Sequence, residues 1–138
     1  MKILVDTDVF LDFLQEREPH MDNAEQIITL CATKRADGYI AAHTIPNLFY
    51  IIRNSHSISE RREMLSDICS FFIVSDLDGA KLIAALRDED FHEFEDCLQD
   101  QCALSVGADY TVTRNVKDFA CAGTEAVTPS RFIEWFTR

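Results

Sequence analysis

Short apolar runs alternate along the chain with longer stretches whose apolar residues recur at helical spacing. KILV at 2–5 is a continuous apolar strand, of the kind found in a sheet covered on both faces. A helix follows from Asp8 to about Gln15 with Val9, Phe10, Phe13 and Leu14 inward. A second runs from about Asp22 to Arg35 and carries Ala24, Ile27, Ile28 and Cys31 on one face. Asp37-Gly38 reads as a turn and YIAA at 39–42 as a second strand. Thr44 reads as the N-cap of a third helix that tolerates Pro46 in its first turn and runs to about Asn54. Ser59, with Arg62 and Met64, opens a fourth helix to about Ser70, and FFIVS at 71–75 is a third strand. Asp78 caps a fifth helix holding Leu82, Ile83 and Leu86. The sixth, from about Phe94 to Val106, closes on Gly107. YTVT at 110–113 is a fourth strand, and Thr128-Pro129 starts a terminal helix with Phe132, Ile133, Trp135 and Phe136.

Strands separated by helices predict an α/β fold, a mainly parallel sheet of four to five short strands sandwiched by helices. No linker, repeat or low-complexity run interrupts 1–138, so one domain is expected. With 47% hydrophobic residues, four Gly and three Pro, the chain can fill a core without disulfides. The five cysteines form no Cys-x-x-Cys pair and the four histidines show no ligand spacing, which argues for reduced, mostly buried thiols and against zinc. No apolar run reaches membrane-spanning length and the N-terminus lacks a signal-peptide pattern, so a cytoplasmic protein without membrane attachment is expected. A net charge of −11 excludes a general nucleic-acid binder, whose mean field would have to attract phosphate.

Position then matters more than bulk charge. Ligands of parallel α/β sheets sit beyond the carboxyl ends of the strands, and Asp6 ends the first strand. It reads equally as a helix N-cap and as a ligand. Asp8 lies in the first helical turn, where its charge suits the dipole, and Asp12 is expected on the solvated face. Glu93, Glu95 and Asp96 bracket the sixth helix; Asp96 stands at the edge of the apolar stripe, with Glu95 turned about 100° away. Asp118 and Asn115 follow the fourth strand. Three acids from three segments, Asp6, Asp96 and Asp118, thus reach one edge. Converging carboxylates repel unless a cation neutralises them. All-oxygen ligation favours Mg2+ or Mn2+, ions that polarise phosphate and help generate hydroxide.

ILVDTDVFLDFL at 3–14, FEDCLQ at 94–99 and GADYTVTRNVKDF at 107–119 together resemble the PIN-domain family, in particular the bacterial single-domain branch that includes VapC-like toxins of toxin–antitoxin pairs. The resemblance spans nearly the whole chain. It implies a metal-dependent ribonuclease with an RNA substrate, a possible antitoxin partner and a homodimer. Asp6 matches the first family acid, Asp96 the third and Asp118 the closing one, with Asn115 at a position often acidic in relatives. The family's second acid lies at the start of the third helix; in TIPNLFYIIR that place is held by Asn47. Asn47, Asn115, Asp8 and Glu95 are therefore supporting candidates beside the three acids. Apolar Phe49, Tyr50, Ile51 and Ile52 are too many for one helix face and mark the expected dimer surface.

RNA also needs cations. Arg114 and Lys117 flank the acidic turn and are the candidate phosphate contacts, whereas Arg61 and Arg62, grouped with Arg53 and His56, read as solvated helix faces. Two other functions compete. A PIN-like scaffold that binds RNA or a partner without cutting fits Asn47 and the acidic charge. Asp6-Thr7-Asp8 also resembles the Asp-x-Asp of haloacid-dehalogenase-type phosphatases, with Asp6 as nucleophile and Asp8 as general acid–base. Phe10, however, stands where that family has Thr or Val, and the later acid pair is missing.

Overall fold

The computed structural model describes residues 1–138. Five strands, β1 (Lys2–Val5), β2 (Asp37–Ala41), β3 (Ile73–Ser75), β4 (Tyr110–Val112) and β5 (Ala126–Val127), form one sheet in the order β3-β2-β1-β4-β5. Every neighbouring pair is parallel. Seven helices connect them: α1 (Thr7–Leu14), α2 (Met21–Ala32), α3 (Thr44–Ile51), α4 (Ile58–Phe71), α5 (Gly79–Arg87), α6 (Phe94–Val106) and α7 (Pro129–Phe136). No helix is long and apolar enough to cross a membrane.

Alternation along the central strand sets the layers. Ile3 and Val5 join Ile40 and Val112 against α1–α4 and α7, while Leu4 joins Ala41, Cys102 and Ala103 on the α6 face. Both faces are covered, which is why Ile3, Leu4 and Val5 are all apolar and buried. Phe10 is fully buried and meets Phe72 edge-on at 5.0 Å. Gly38 permits this packing, since a Cβ there would lie 2.6 Å from Cys31 Sγ and 2.7 Å from the Phe72 ring.

Several local expectations change. Thr44 lies inside α3 and does not cap it; His43 precedes the helix without a capping bond. α3 ends at Ile51 and continues as a 3-10 turn over Ile52–Asn54. Ser57, not Ser59, caps α4, in a reciprocal box with Glu60 at 3.1 and 3.0 Å. On α5, Ile83 and Leu86 point outward, because only Leu82 and Ala85 meet α6. Arg61 is buried: it donates to Phe49 O at 2.8 Å and lies 4.3 Å over the Phe49 ring. Ile52 is likewise in the core, so of the four apolar residues read as a dimer surface only Tyr50 and Ile51 are exposed. Gly107 closes α6 at φ 68°, and all five cysteines are free, with Cys31, Cys97 and Cys102 buried.

The topology also creates a crevice. From β1 the chain winds outward through β2 and β3, and β4 then returns to the other side of β1. The connections part between β1 and β4, the point where open α/β sheets bind ligands. Asp6 and Thr113, the residues after those two strands, face each other there.

Candidate active site

Asp6 is both a cap and a member of the site. Its Oδ1 accepts the Thr7 N–H at 2.8 Å and its Oδ2 the Thr113 hydroxyl at 2.8 Å. These bonds leave lone pairs free on both oxygens. Burial, with Asp8 and Asp96 nearby, outweighs them and pushes the carboxyl up to about 7.

Asp8 does more than complement the α1 dipole. Its Oδ2 accepts the backbone N–H of Arg114 at 3.0 Å and the side-chain amide of Asn115 at 3.3 Å, stitching α1 to the segment after β4. Thr113 Oγ1 is also 3.3 Å away, but a hydroxyl has one proton and Asp6 is the nearer acceptor. The other oxygen of Asp8 is buried without a partner, and burial raises this carboxyl too.

Asp96, in the first turn of α6, is raised to about 6 by burial and then by Asp118, Glu93, Asp8 and Glu95. No donor offsets these effects. Asp6 is raised in part by Asp8 and Asp96, and Asp96 in part by Asp118 and Asp8, so the four carboxylates act on one another electrostatically. Asp118 enters from the 3-10 turn Val116–Phe119, exposed, while Phe119 is buried and meets Phe91 edge-on at 6.3 Å.

Asn47 also reaches this edge. Its amide donates to Glu95 at 3.2 Å, so α3 and α6 meet above the crevice. His43 stands in the same corner with both ring nitrogens buried and unpartnered. Burial lowers its pKa, opposed by Glu95.

Two expectations are corrected. Asp12 is not solvated but buried, and it holds Arg114 in a bidentate pair, Nε–Oδ2 at 2.5 Å and Nη2–Oδ1 at 3.1 Å. α1 turns this residue inward, where an unpaired carboxylate would be costly. Arg114 is therefore committed in part to Asp12 and is not a free phosphate arm. Lys117 is exposed and forms no ion pair.

The supporting layer escaped sequence reading. Buried Gln99 donates to Thr7 at 3.2 Å and Thr44 at 3.0 Å, and those hydroxyls lie 3.1 Å apart, pinning the starts of α1 and α3 to α6. Buried Asp100 accepts the backbone N–H groups of Gly123 at 2.9 Å and Thr124 at 3.1 Å, anchoring the return from the Asp118 turn into β5. The one available signal was Gln99 and Asp100 continuing the inward face of a helix otherwise apolar there.

No three His, Cys, Asp or Glu side chains stand drawn together as a ready metal cage. The donors nevertheless suit a hard cation. They are all oxygen, Asp8 keeps a buried oxygen unpartnered, and Asp6 and Asp96 are raised by neighbouring carboxylates while Arg114 relieves Asp8 alone of the three. Mg2+ commonly takes one or two carboxylates and keeps several waters, so a closed cage is not required.

An acid-lined crevice at the switch point of a parallel sheet defines a class of α/β protein, and sequence comparison names it. The PIN-domain model matches residues 2–117, and the chain belongs to the PIN-domain family. No curated protein matches the chain. Among solved structures, a toxin–antitoxin complex from Klebsiella pneumoniae superposes with a TM-score of 0.68 at 23% identity, covering 92% of this chain and 97% of that one. VapBC2 from Rickettsia felis, bound to a DNA fragment from its promoter, gives 0.65 at 18% identity over 93% and 98%. VapC20 from Mycobacterium tuberculosis, a toxin that cleaves the sarcin–ricin loop, gives 0.62 at 15% identity over 79% and 86%. At these identities the likeness establishes the shared fold.

Proposed function

We propose that this protein is a metal-dependent endoribonuclease, the toxin of a toxin–antitoxin pair, acting in the cytoplasm as one PIN domain over 1–138. The observation that carries this reading is that burial, together with the mutual electrostatic effect of Asp6, Asp8, Asp96 and Asp118, pushes Asp6 up to about 7 and Asp96 to about 6. Carboxylates so placed destabilise the empty site and favour a cation. Asp6, Asp96 and Asp118 would hold Mg2+ or Mn2+, which when bound polarises a phosphodiester and eases deprotonation of water.

The chain's own residues supply the rest. Thr113 and the Thr7 N–H fix the Asp6 carboxylate. Asp8 and Asn115 hold the segment leading to Asp118, and the Asn47 amide holds Glu95 at the start of α6. Lys117, exposed and free of ion pairs, is the side-chain cation available to phosphate, beside the partly committed Arg114. Tyr50 and Ile51 are the apolar patch through which two copies would pair, which light scattering tests. An antitoxin partner is supported by toxin–antitoxin complexes among the structural neighbours.

The test is incubation with a mixed RNA pool in Mn2+, in chelator, and with Asp96→Asn. Cleavage that needs the metal and disappears in Asp96→Asn supports the reading. RNA binding without cleavage in any metal would leave a scaffold, and release of phosphate from a generic phosphomonoester would point to a phosphatase.

A further inference from the structure

Beside Arg114 lies a cavity of about 230 Å3 lined by Asp12, His20, Asn23, Arg114, Thr128, Pro129 and Ser130. None of these side chains is a large apolar one, so burial of a hydrophobic ligand is not its use. Asp12 is the single carboxylate of the wall, and both its oxygens are taken by Arg114. A guanidinium carries five N–H donors; two go to Asp12, which leaves three. His20, Asn23 and the hydroxyls of Thr128 and Ser130, 3.3 Å apart, add further donors. In a chain of net charge −11, this wall has no carboxylate left unpaired, and its remaining side chains other than Pro129 each carry a group able to donate.

The cavity is also tied to the acid crevice. The Arg114 backbone N–H bonds to Asp8, and the preceding residue, Thr113, bonds to Asp6. A strand laid across the crevice therefore passes Arg114 next. We infer that this cavity is a second phosphate subsite, which takes the RNA backbone phosphate adjacent to the one being cut. Asp12 aims the guanidinium into it, and His20, Asn23 and Ser130 complete the contacts. This inference rests on the ribonuclease reading, since it names where that substrate's neighbouring phosphate sits. It also explains how Arg114 serves RNA while paired: the ion pair fixes the fork's orientation, and the free edge binds.

Ser130→Glu tests it without touching the acids. Ser130 is exposed in the first turn of α7, where a negative charge suits the helix and Thr128 still caps it, so the variant should melt no lower than wild type. The probe is a short labelled single-stranded RNA bound in chelator, with affinity measured against salt. Loss of one phosphate contact should weaken binding and flatten the log–log salt slope by about 0.7; His20→Ala should weaken it less. In parallel, inorganic phosphate titrated into wild type should shift the amide resonances of His20, Asn23 and Ser130 saturably. Unchanged RNA affinity and slope in Ser130→Glu overturns the subsite, as does phosphate that moves none of these resonances. Acetate producing the same shifts at the same concentration would mark a protein carboxylate as the occupant and equally overturn it. Wild-type protein that binds RNA with the predicted slope but never cuts it would refute the ribonuclease reading while supporting the subsite.

Discussion

Asp6→Asn should stabilise the metal-free protein at neutral pH, although it removes a buried, doubly hydrogen-bonded carboxylate. Asp6 ordinarily would lose its proton at 3.8 and here holds it to about 7. At about 1.4 kcal/mol per pH unit, the ionised group costs the fold about 4 kcal/mol. The sign follows from proton counts: between pH 4 and 7 the folded state keeps a proton that the unfolded chain has released, so stability falls as pH rises through that window. Asparagine remains a good N-cap for Thr7 and loses about 1 kcal/mol at Thr113, where an amide replaces a charged acceptor. The net expectation is about 2–3 kcal/mol more stability than wild type at pH 7.5, and slightly less at pH 4. Urea unfolding in chelator, followed by circular dichroism across pH 4–8, measures the difference between the two proteins; this cancels the contributions of Asp8 and Asp96 that both share. In Mn2+ the order should reverse, because an ion bound only to the native site stabilises wild type. A variant destabilised equally at every pH would refute the electrostatic account and leave Asp6 as a helix cap alone.

Three further outcomes are expected. Asp12→Ala strands Arg114 without its partner and should lower stability by about 2 kcal/mol by urea unfolding, toward the low side for a broken buried pair because Arg114 is 29% exposed; an unchanged midpoint would mean the pair is not held in solution. Asn47→Asp places a carboxylate against Glu95, so in chelator the melting temperature should fall, and Mn2+ affinity by calorimetry should rise; affinity unmoved by this change would remove Asn47 from the site. Cys69 and Cys121 should react with a thiol reagent quickly and Cys31, Cys97 and Cys102 slowly, since burial covers the latter three and pushes the Cys31 thiol up to about 12.

Much of this protein is legible in its sequence because the signals are local. The apolar run of KILV requires a doubly covered strand, Gly107 requires a left-handed helix end, and Thr128-Pro129 requires a helix start; each appears where the chain places it. Asp6, Asp96 and Asp118 were legible as site candidates for a related reason: Asp6 follows β1 directly, Asp96 opens α6, and Asp118 lies in the segment after β4, elements that the apolar pattern defines. Sequence could not choose, however, between cap and ligand for Asp6, and the structure shows it capping while facing the other acids. Tertiary packing alone decided what lies beneath. Asp12 is read as solvated from its own helix, yet α1 turns it inward to meet an arginine about a hundred positions away. Thr44 has the chemistry of a cap, and Gln99 across the sheet claims its hydroxyl instead. Asp100 holds a loop that no periodicity links to α6. A buried polar side chain must find its partner, and that partner is chosen by which segments the sheet order brings together. Strand order β3-β2-β1-β4-β5 sets Thr113 beside Asp6 and Arg114 beside Asp8, juxtapositions that residue spacing along the chain does not contain.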